Sequence, residues 1–349
     1  MELGIISLGD IQTNPATGFA FPAVQRIDET IGYAALADTL GLDVFALGEH
    51  HTPDHAVASP AVVLSAIAAR TKNIRLTSGV TVLSTLDPVR VYQDFAQLDL
   101  ISRGRTEITV GRSAYLEPFA LFGENPAAYD ELFAEKLDLL LRLRTERNVT
   151  WSGRFRPPLH DAAIVPRAYQ NPLPVWVGVG GSPESAERAG RWGLPMVLGL
   201  IGGSIQQARR TVDIYRAAGE RAGHANTLRV GISTHFYAGA TASEARKVFP
   251  YYREYLRPKP PSGRGFHIDR TSFEAGTRPG QAIMIADADE LIEKIVLAHD
   301  LLGVDRFFGQ ADWGGMPRTL VEESITRLAT QIAPAVRDAV PTEQKATTR

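Results

Sequence analysis

A glutamate and two neighbouring histidines, Glu49-His50-His51, follow the short apolar run Val44–Leu47 after a single glycine, Gly48. Imidazole titrates near neutral pH, so a histidine held in place can accept and return a proton during a reaction. A run that is apolar on both faces is typical of a parallel strand covered by helices. The three ionisable residues therefore stand at a strand end, which is where the active sites of (β/α) barrels lie.

Other strand ends carry residues that suit a phosphate-bearing ligand. Arg112 follows the predicted strand 106–110, and its guanidinium can bind a phosphate through two parallel hydrogen bonds. Gly181-Ser182-Pro183 follows the predicted strand 175–179. Ser182 can cap the next helix and Pro183 suits its first position, so the exposed N–H groups of that helix predict an anion site. Gly79-Val80 interrupts the predicted strand 74–83, which indicates a bulge or a close approach to a ligand.

Two other kinds of site fit parts of this pattern. A dinucleotide fingerprint begins at Gly178-Val179-Gly180 but fails at Pro183, where its third glycine should stand. A metal site is the second alternative, because potential ligands lie close together in sequence. These are Glu49, His51, Asp54 and His55. Against it, metal-dependent barrel hydrolases carry a His-x-His after the first strand, and here that strand ends Ser7-Leu8-Gly9-Asp10.

The elements that position these residues alternate between strands and amphipathic helices, which predicts an α/β fold, a (β/α)8 TIM barrel. The eight strands are predicted at residues 3–8, 44–47, 74–83, 106–110, 175–179, 194–200, 227–237 and 304–308. A small hairpin insertion is predicted at residues 148–159. Residues 257–286, after the seventh strand, have no periodicity and are predicted to form a long lid loop. Residues 1–338 are predicted to be a single domain, and residues 339–349 a disordered tail.

Composition excludes several function classes. The 349 residues carry 37 basic and 39 acidic side chains, for a net charge of −2, so neither nucleic acid nor an anionic membrane is favoured as a partner. Cysteine is absent, which excludes a thiolate nucleophile and a disulfide scaffold. The N-terminus lacks the features of a signal peptide and no apolar run is long enough for a membrane span. We therefore expect a cytoplasmic protein.

Several segments together resemble the bacterial luciferase-like flavin-dependent monooxygenases, and they occur in the same order over nearly the whole chain. The segments that carry the resemblance are Gly48-Glu49-His50-His51, Ser78-Gly79-Val80, Asp87-Pro88-Val89-Arg90, Ser102-Arg103-Gly104-Arg105 and Gly193-Leu194-Pro195-Met196. The resemblance implies a (β/α)8 barrel that binds reduced FMN, or in some branches the deazaflavin coenzyme, at the C-terminal ends of the strands. It also implies a homodimer.

The resemblance implies roles for individual residues. His50 matches the catalytic histidine, with Glu49 or His51 expected to orient it. The cofactor residues that match are Arg112 and Ser182 for the flavin phosphate, with Gly181 beside them, Tyr115 for the flavin, and Gly79-Val80 for the non-prolyl cis peptide that supports the isoalloxazine ring. Three positions depart from the family pattern. Gly181 replaces an acidic residue, Asp130 falls near the position of a second phosphate arginine, and Gly111 replaces a reactive cysteine.

We therefore predict an enzyme, a monooxygenase that uses O2 and reduced FMN from a separate flavin reductase to oxidise a small organic substrate. His50 would manage protons, as an imidazole with a pKa near the working pH can. Hydride transfer by the deazaflavin coenzyme is the alternative within the same fold. A catalytically silent flavin-binding paralogue and a metal-dependent hydrolase are the remaining alternatives. Aromatic residues of the predicted lid, Phe266 and Phe273 among them, predict an apolar and partly aromatic substrate pocket.

Overall fold

Eight parallel strand positions close into a barrel in the computed structural model, which describes residues 1–113, 115–259 and 265–340. The strands of these residues are β1 Glu2–Ser7, β2 Val44–Leu47, β3 Arg75–Ser78, β4 Thr81–Val82, β5 Thr106–Gly111, β6 Asn148–Trp151, β7 Leu159–Ala163, β8 Val175–Val179, β9 Met196–Gly199, β10 Val230–Ala238, β11 Met284–Ala286 and β12 Arg306–Gln310. The barrel order is β1, β2, β3 with β4, β5, β8, β9, β10 and β12, and β12 pairs with β1 to close the ring. The predicted (β/α)8 barrel is confirmed.

Helices cover the outside of the barrel and connect its strands. They are α1 Ala23–Thr39, α2 Pro60–Arg70, α3 Pro88–Ser102, α4 Glu117–Phe122, α5 Tyr129–Leu143, α6 Pro183–Arg191, α7 Ile205–Arg221, α8 Ala242–Ala245, α9 Phe249–Leu256, α10 Arg270–Thr277, α11 Ala288–Leu302, α12 Arg318–Arg327 and α13 Ala333–Ala339, with a π-helical turn at Leu328–Ile332 between the last two. Several begin where the sequence predicts. Asp87 accepts hydrogen bonds from the N–H groups of Val89 and Arg90 ahead of α3, and Ser182 accepts one from Ser185 ahead of α6.

The structure corrects the predicted third strand and adds detail to the insertion. Residues 74–83 form two short strands, β3 and β4, which are separated by the cis peptide bond Gly79-Val80. The predicted hairpin insertion is present as the antiparallel pair of β6 and β7, although its second strand reaches Ala163. In the barrel, β5 pairs directly with β8, so the hairpin of β6 and β7 is not part of the ring.

The segment predicted to be a structureless lid is partly ordered, so that prediction was wrong for residues 270–286. Helix α10 and strand β11 lie within it. Phe273 of α10 is fully buried and packs against Phe249 and Tyr252, with ring centroids 5.2 and 5.3 Å away. Lys294 Nζ donates hydrogen bonds to the carbonyls of Thr277 and Ile283. Arg264, another residue of the predicted lid, lies outside the described residues.

The first residues of the predicted C-terminal tail also differ from the prediction. Ala339 ends helix α13 and Val340 is buried, so neither belongs to a disordered tail. Residues 341–349 lie outside the described residues. Across the parts of the chain that the structure covers, no helix combines the length and apolar character needed to cross a bilayer.

A buried ion network closes the barrel at the N-terminal ends of its strands. Arg306, at the start of β12, is fully buried and donates to the carboxylates of Glu107 and Glu2. The Arg306 guanidinium also lies 4.2 Å from the ring centroid of Trp176. Burial opposes the charge of Glu2, but Arg306 and Arg229 outweigh it and lower the pKa of Glu2 to about 2. This end is therefore a packed structural plug, and the chemistry-bearing residues lie at the opposite end.

Candidate functional site

His50 lies at the C-terminal end of β2, between two other rings. The His55 ring stacks on it with centroids 4.0 Å apart and planes 10° from parallel, and Tyr115 meets it edge-on at 5.4 Å. Burial, followed by the nearby His55, lowers the pKa of His50 well below its ordinary value. The pKa of His50 is therefore lower than the sequence predicts. His50 is a neutral imidazole at neutral pH, and its Nδ1 is buried without a hydrogen-bond partner among the described residues.

Glu49 and His51 do not orient His50 as expected. His51 Nε2 pairs with Glu49 Oε1 at 2.9 Å, and Glu49 Oε2 accepts a hydrogen bond from the N–H of Val82 at 3.1 Å. His51 also packs edge-on against Phe122. This pair faces a cavity of about 270 Å³ between the N-terminal halves of α2 and α3, away from the ring stack of His50. Glu49 is therefore bonded to the backbone of β4, shortly after the Gly79-Val80 peptide.

The Gly79-Val80 peptide is cis, as the resemblance implies. The side chain of Val80 fits between two glycines on neighbouring strands. A Cβ added at Gly111 would lie 2.5 Å from Val80 Cγ2, and one added at Gly178 would lie 2.5 Å from Val80 Cγ1. Real Cβ atoms do not approach other atoms so closely. Gly111 therefore replaces the family cysteine at a position where Val80 leaves no room for a side chain.

Arg112 and Ser182 come together at the N-terminus of α6. Arg112 Nη2 donates to Ser185 Oγ, and Ser185 Oγ lies 2.8 Å from Ser182 Oγ. Gly181, with φ of +94°, directly precedes this cap, and nothing lies within 4 Å of the position of an added Cβ. Since the first N–H groups of a helix have no partner within the helix, this end attracts anions. Arg112 also lies over the ring of Tyr129, with its Cζ 4.7 Å from the centroid.

Sequence reasoning missed Ser185 and Arg188, the second arginine of this site. Arg188 Nη2 donates to Asp130 Oδ1 at 2.8 Å, and Arg112 Nη1 binds the same oxygen. The arginine expected near position 130 is thus supplied from α6, while Asp130 supplies a carboxylate. A signal for these residues is present, because positions 182, 185 and 188 recur every third residue on one helix face.

A second group of aromatic and polar residues lines the opposite side of the barrel mouth. His235 Nδ1 lies 2.8 Å from the hydroxyl of Tyr252, and the hydroxyl of Tyr255 bonds the side-chain amide of Gln310. Burial lowers the pKa of His235 to about 4, so it is neutral. Tyr252 also lines a cavity of about 520 Å³, together with Ile201 and with residues of the segment 266–283 such as Phe266. The segment predicted to be a lid therefore lines a cavity large enough for a small organic molecule.

Buried carboxylates form a third group beside β1 and β12. Asp312 Oδ2 accepts hydrogen bonds from Ser7 Oγ and Arg26 Nη2, each at 2.6 Å, and Asp10 Oδ1 lies 3.6 Å from the same Arg26 nitrogen. Burial raises the pKa of Asp312 to about 7. The metal alternative gains no support from the described residues, where no group of three or more His, Asp or Glu side chains is arranged to hold an ion.

Comparison with known proteins identifies the family. The family model of luciferase-like monooxygenases matches residues 1–305. The chain belongs to this family. Among solved structures, the monooxygenase RslO1 from Streptomyces bottropensis superposes with a TM-score of 0.84 at 26% identity, covering 96% of this chain and 99% of that one.

Curated relatives of this luciferase-like chain differ in their cofactors. The oxygenase component of a flavin-dependent trigonelline monooxygenase from Acinetobacter baylyi is 22% identical over 93% of each chain. An F420-dependent glucose-6-phosphate dehydrogenase from Amycolatopsis mediterranei is 34% identical, over 47% of this chain and 51% of the relative. The chain spans about half the length of the first curated relatives that it matches. Cofactor and activity therefore need an argument from the site itself.

Proposed function

We propose that this protein is a flavin-dependent monooxygenase that uses reduced FMN and O2 to oxidise a small organic substrate. The observation that carries the proposal is the anion site at the start of α6, where Arg112, Arg188 and two serines converge, with Val80 packed against Gly111, the residue before Arg112. FMN needs a surface for its ring and an anion site for its phosphate, and the two must lie no farther apart than the length of the cofactor. The trigonelline monooxygenase component, which aligns over 93% of the chain, supports the same activity.

The residues present fit FMN. Two guanidinium groups and the N–H groups of a capped helix match the charge and the acceptors of a phosphate monoester. Val80, held between Gly111 and Gly178, offers an apolar surface for a planar ring. Tyr115 lies beside His50, at the edge of the same space. When bound, the reduced flavin would supply two of the four electrons that reduce O2, with one oxygen atom entering the substrate and the other leaving as water.

His50 is the group proposed to move protons. Its neutral imidazole can accept a proton at Nδ1, which is buried and has no protein partner in the described parts of the chain. Burial, followed by the nearby His55, lowers the pKa of His50 and so disfavours a lasting positive charge, which means that a captured proton is readily returned. Aromatic residues around Tyr252 and the segment that includes Phe266 would exclude water from the reacting groups.

Several parts of the proposal concern partners. Reduced FMN would come from a separate flavin reductase, as the name of the trigonelline enzyme, an oxygenase component, suggests for that relative. We also propose a homodimer and a cytoplasmic location. Hydride transfer with the deazaflavin coenzyme is the second candidate, and the 34% identity to an F420-dependent dehydrogenase favours it.

A comparison of FMN with riboflavin tests the proposed phosphate site. Because only FMN carries the phosphate, Arg112→Ala should weaken FMN binding by about tenfold or more and leave riboflavin affinity within about twofold. The matched control is Arg154→Ala, which removes an exposed arginine that pairs with Glu131. Equal losses for FMN and riboflavin in Arg112→Ala would contradict the assignment of Arg112 to the phosphate.

A further inference from the structure

Asp130 places a carboxylate of the protein in the anion site. It lies in the first turn of α5, and its Oδ1 accepts hydrogen bonds from both Arg112 Nη1 and Arg188 Nη2. Arg112 also binds Ser185, whose backbone N–H bonds Ser182 Oγ at 3.2 Å. One acidic side chain therefore engages both cations that an incoming phosphate would use.

We propose that Asp130 is a displaceable counterion, which occupies the flavin-phosphate site until the phosphate of FMN enters and turns it out towards solvent. This role rests on the proposed function. Asp130 would thereby keep the flavin exchangeable. Such exchange is needed if FMN arrives reduced and leaves oxidised in every turnover.

The exposures of the three side chains indicate that the carboxylate is the part that moves. The side chain of Asp130 is 62% exposed, whereas those of Arg112 and Arg188 are 20% and 15% exposed. Each arginine also packs over an aromatic ring, Arg112 over Tyr129 and Arg188 over Phe133. Asp130 lies in the N-terminal turn of α5, which stabilises a negative charge and so offsets part of the loss of the two ion pairs when the side chain turns outwards.

A phosphate monoester can satisfy this site better than a carboxylate. It carries up to two negative charges and three acceptor oxygens, compared with one charge and two oxygens. Arg188 Nη1 is buried and has no hydrogen-bond partner among the described residues. A phosphate held by Arg112 and Ser182 could accept from this nitrogen as well as from the N–H groups of α6.

The internal carboxylate lowers the apparent affinity for any phosphate ligand. A protein whose binding-competent state is a fraction of the population binds with its intrinsic affinity reduced by that fraction. Exposed ion pairs shift an equilibrium by a few-fold each, and Asp130 makes two of them. We therefore expect Asp130 to weaken FMN binding about tenfold, in both redox states, and to leave riboflavin binding unchanged.

The test compares Asp130→Asn with Glu131→Gln, a charge-matched control in the same helical turn. Glu131 is 64% exposed and pairs with Arg154 at 2.8 Å, away from the anion site. Dissociation constants for FMN and riboflavin are measured by quenching of flavin fluorescence, and FMN release rates by stopped flow. Asp130→Asn should bind FMN about tenfold more tightly and release it more slowly, with riboflavin unchanged. Glu131→Gln should match the wild type for both flavins.

Two results would overturn the role of Asp130. Weaker FMN binding by Asp130→Asn would mean that the carboxylate holds the arginines in place for the ligand. Equal tightening of FMN and riboflavin would mean that the effect does not act through the phosphate. If the wild-type protein binds neither flavin, the proposed function itself fails, and the role of Asp130 fails with it. Thermal unfolding of all three proteins checks that the exposed substitutions leave the fold intact.

Discussion

Gly178→Ala should damage the flavin platform in a way that a second substitution reverses. The added Cβ would lie 2.5 Å from Val80 Cγ1, while the next Val80 atom, Cβ, is 3.8 Å away. Overpacking of this kind costs about 1–3 kcal/mol because neighbouring side chains and backbone must shift. The atom that must move belongs to the side chain of Val80, the residue proposed to support the flavin ring. Flavin binding should therefore weaken along with the stability of the barrel.

Val80→Ala supplies the rescue, because it removes Cγ1 and leaves only the Cβ at an ordinary contact distance of 3.8 Å. Unfolding in denaturant and riboflavin titrations are measured for both single variants and for the double variant. We expect Gly178→Ala to lose about 1–3 kcal/mol of stability and about tenfold or more in riboflavin affinity. In the double variant the effects on stability should be strongly non-additive, with most of the stability lost in Gly178→Ala recovered. Additive losses, or a neutral Gly178→Ala, would refute the argument.

Three further predictions concern the proton carrier, the barrel plug and the covering segment. His50→Ala should lower turnover by about 10²–10⁴-fold while FMN affinity stays within a few-fold. Loss of FMN binding with an unchanged turnover number would contradict the proposed role of His50 in proton transfer. Glu107→Gln should destabilise the protein by about 3 kcal/mol in denaturant unfolding, because it removes one ionised partner of the buried Arg306. An unchanged denaturant midpoint would contradict the stabilising role of this ion network. Phe266→Ser should raise H2O2 release per flavin oxidised and leave the melting temperature unchanged, because Phe266 is 55% exposed. Phe273→Ala should lower the melting temperature, because Phe273 is fully buried. If Phe266→Ser released no more H2O2 per flavin oxidised than the wild type, the segment that contains Phe266 would have no part in excluding water.

The barrel could be predicted because its strands are apolar runs with clear ends. The prediction for β2, Val44–Leu47, matches the structure residue for residue. The segment after β10 could not be predicted in the same way, because α10 is a helix of only eight residues whose order depends on Phe273 packing against distant rings. Local periodicity carries no information about such long-range contacts.

The positions of the candidate residues at strand ends were predictable, and their mutual geometry was less so. Sequence placed His50, Arg112 and Ser182 at strand ends, and the fold gathers those ends on one face of the barrel. The side chains of adjacent residues point in different directions, however. Glu49 bonds the backbone of Val82, while His50 stacks on His55. The lowered pKa of His50 also depends on burial and on a stacked ring, which no local pattern encodes.

An anaerobic titration of the purified protein with reduced FMN and with the reduced deazaflavin coenzyme tests the central claim most directly. The proposed function predicts that reduced FMN saturates one site per chain and that the deazaflavin binds more weakly. It also predicts that Arg112→Ala removes most of the preference for FMN over riboflavin. Saturation by the deazaflavin, with no binding of reduced FMN, would contradict the proposed monooxygenase and favour the hydride-transfer alternative.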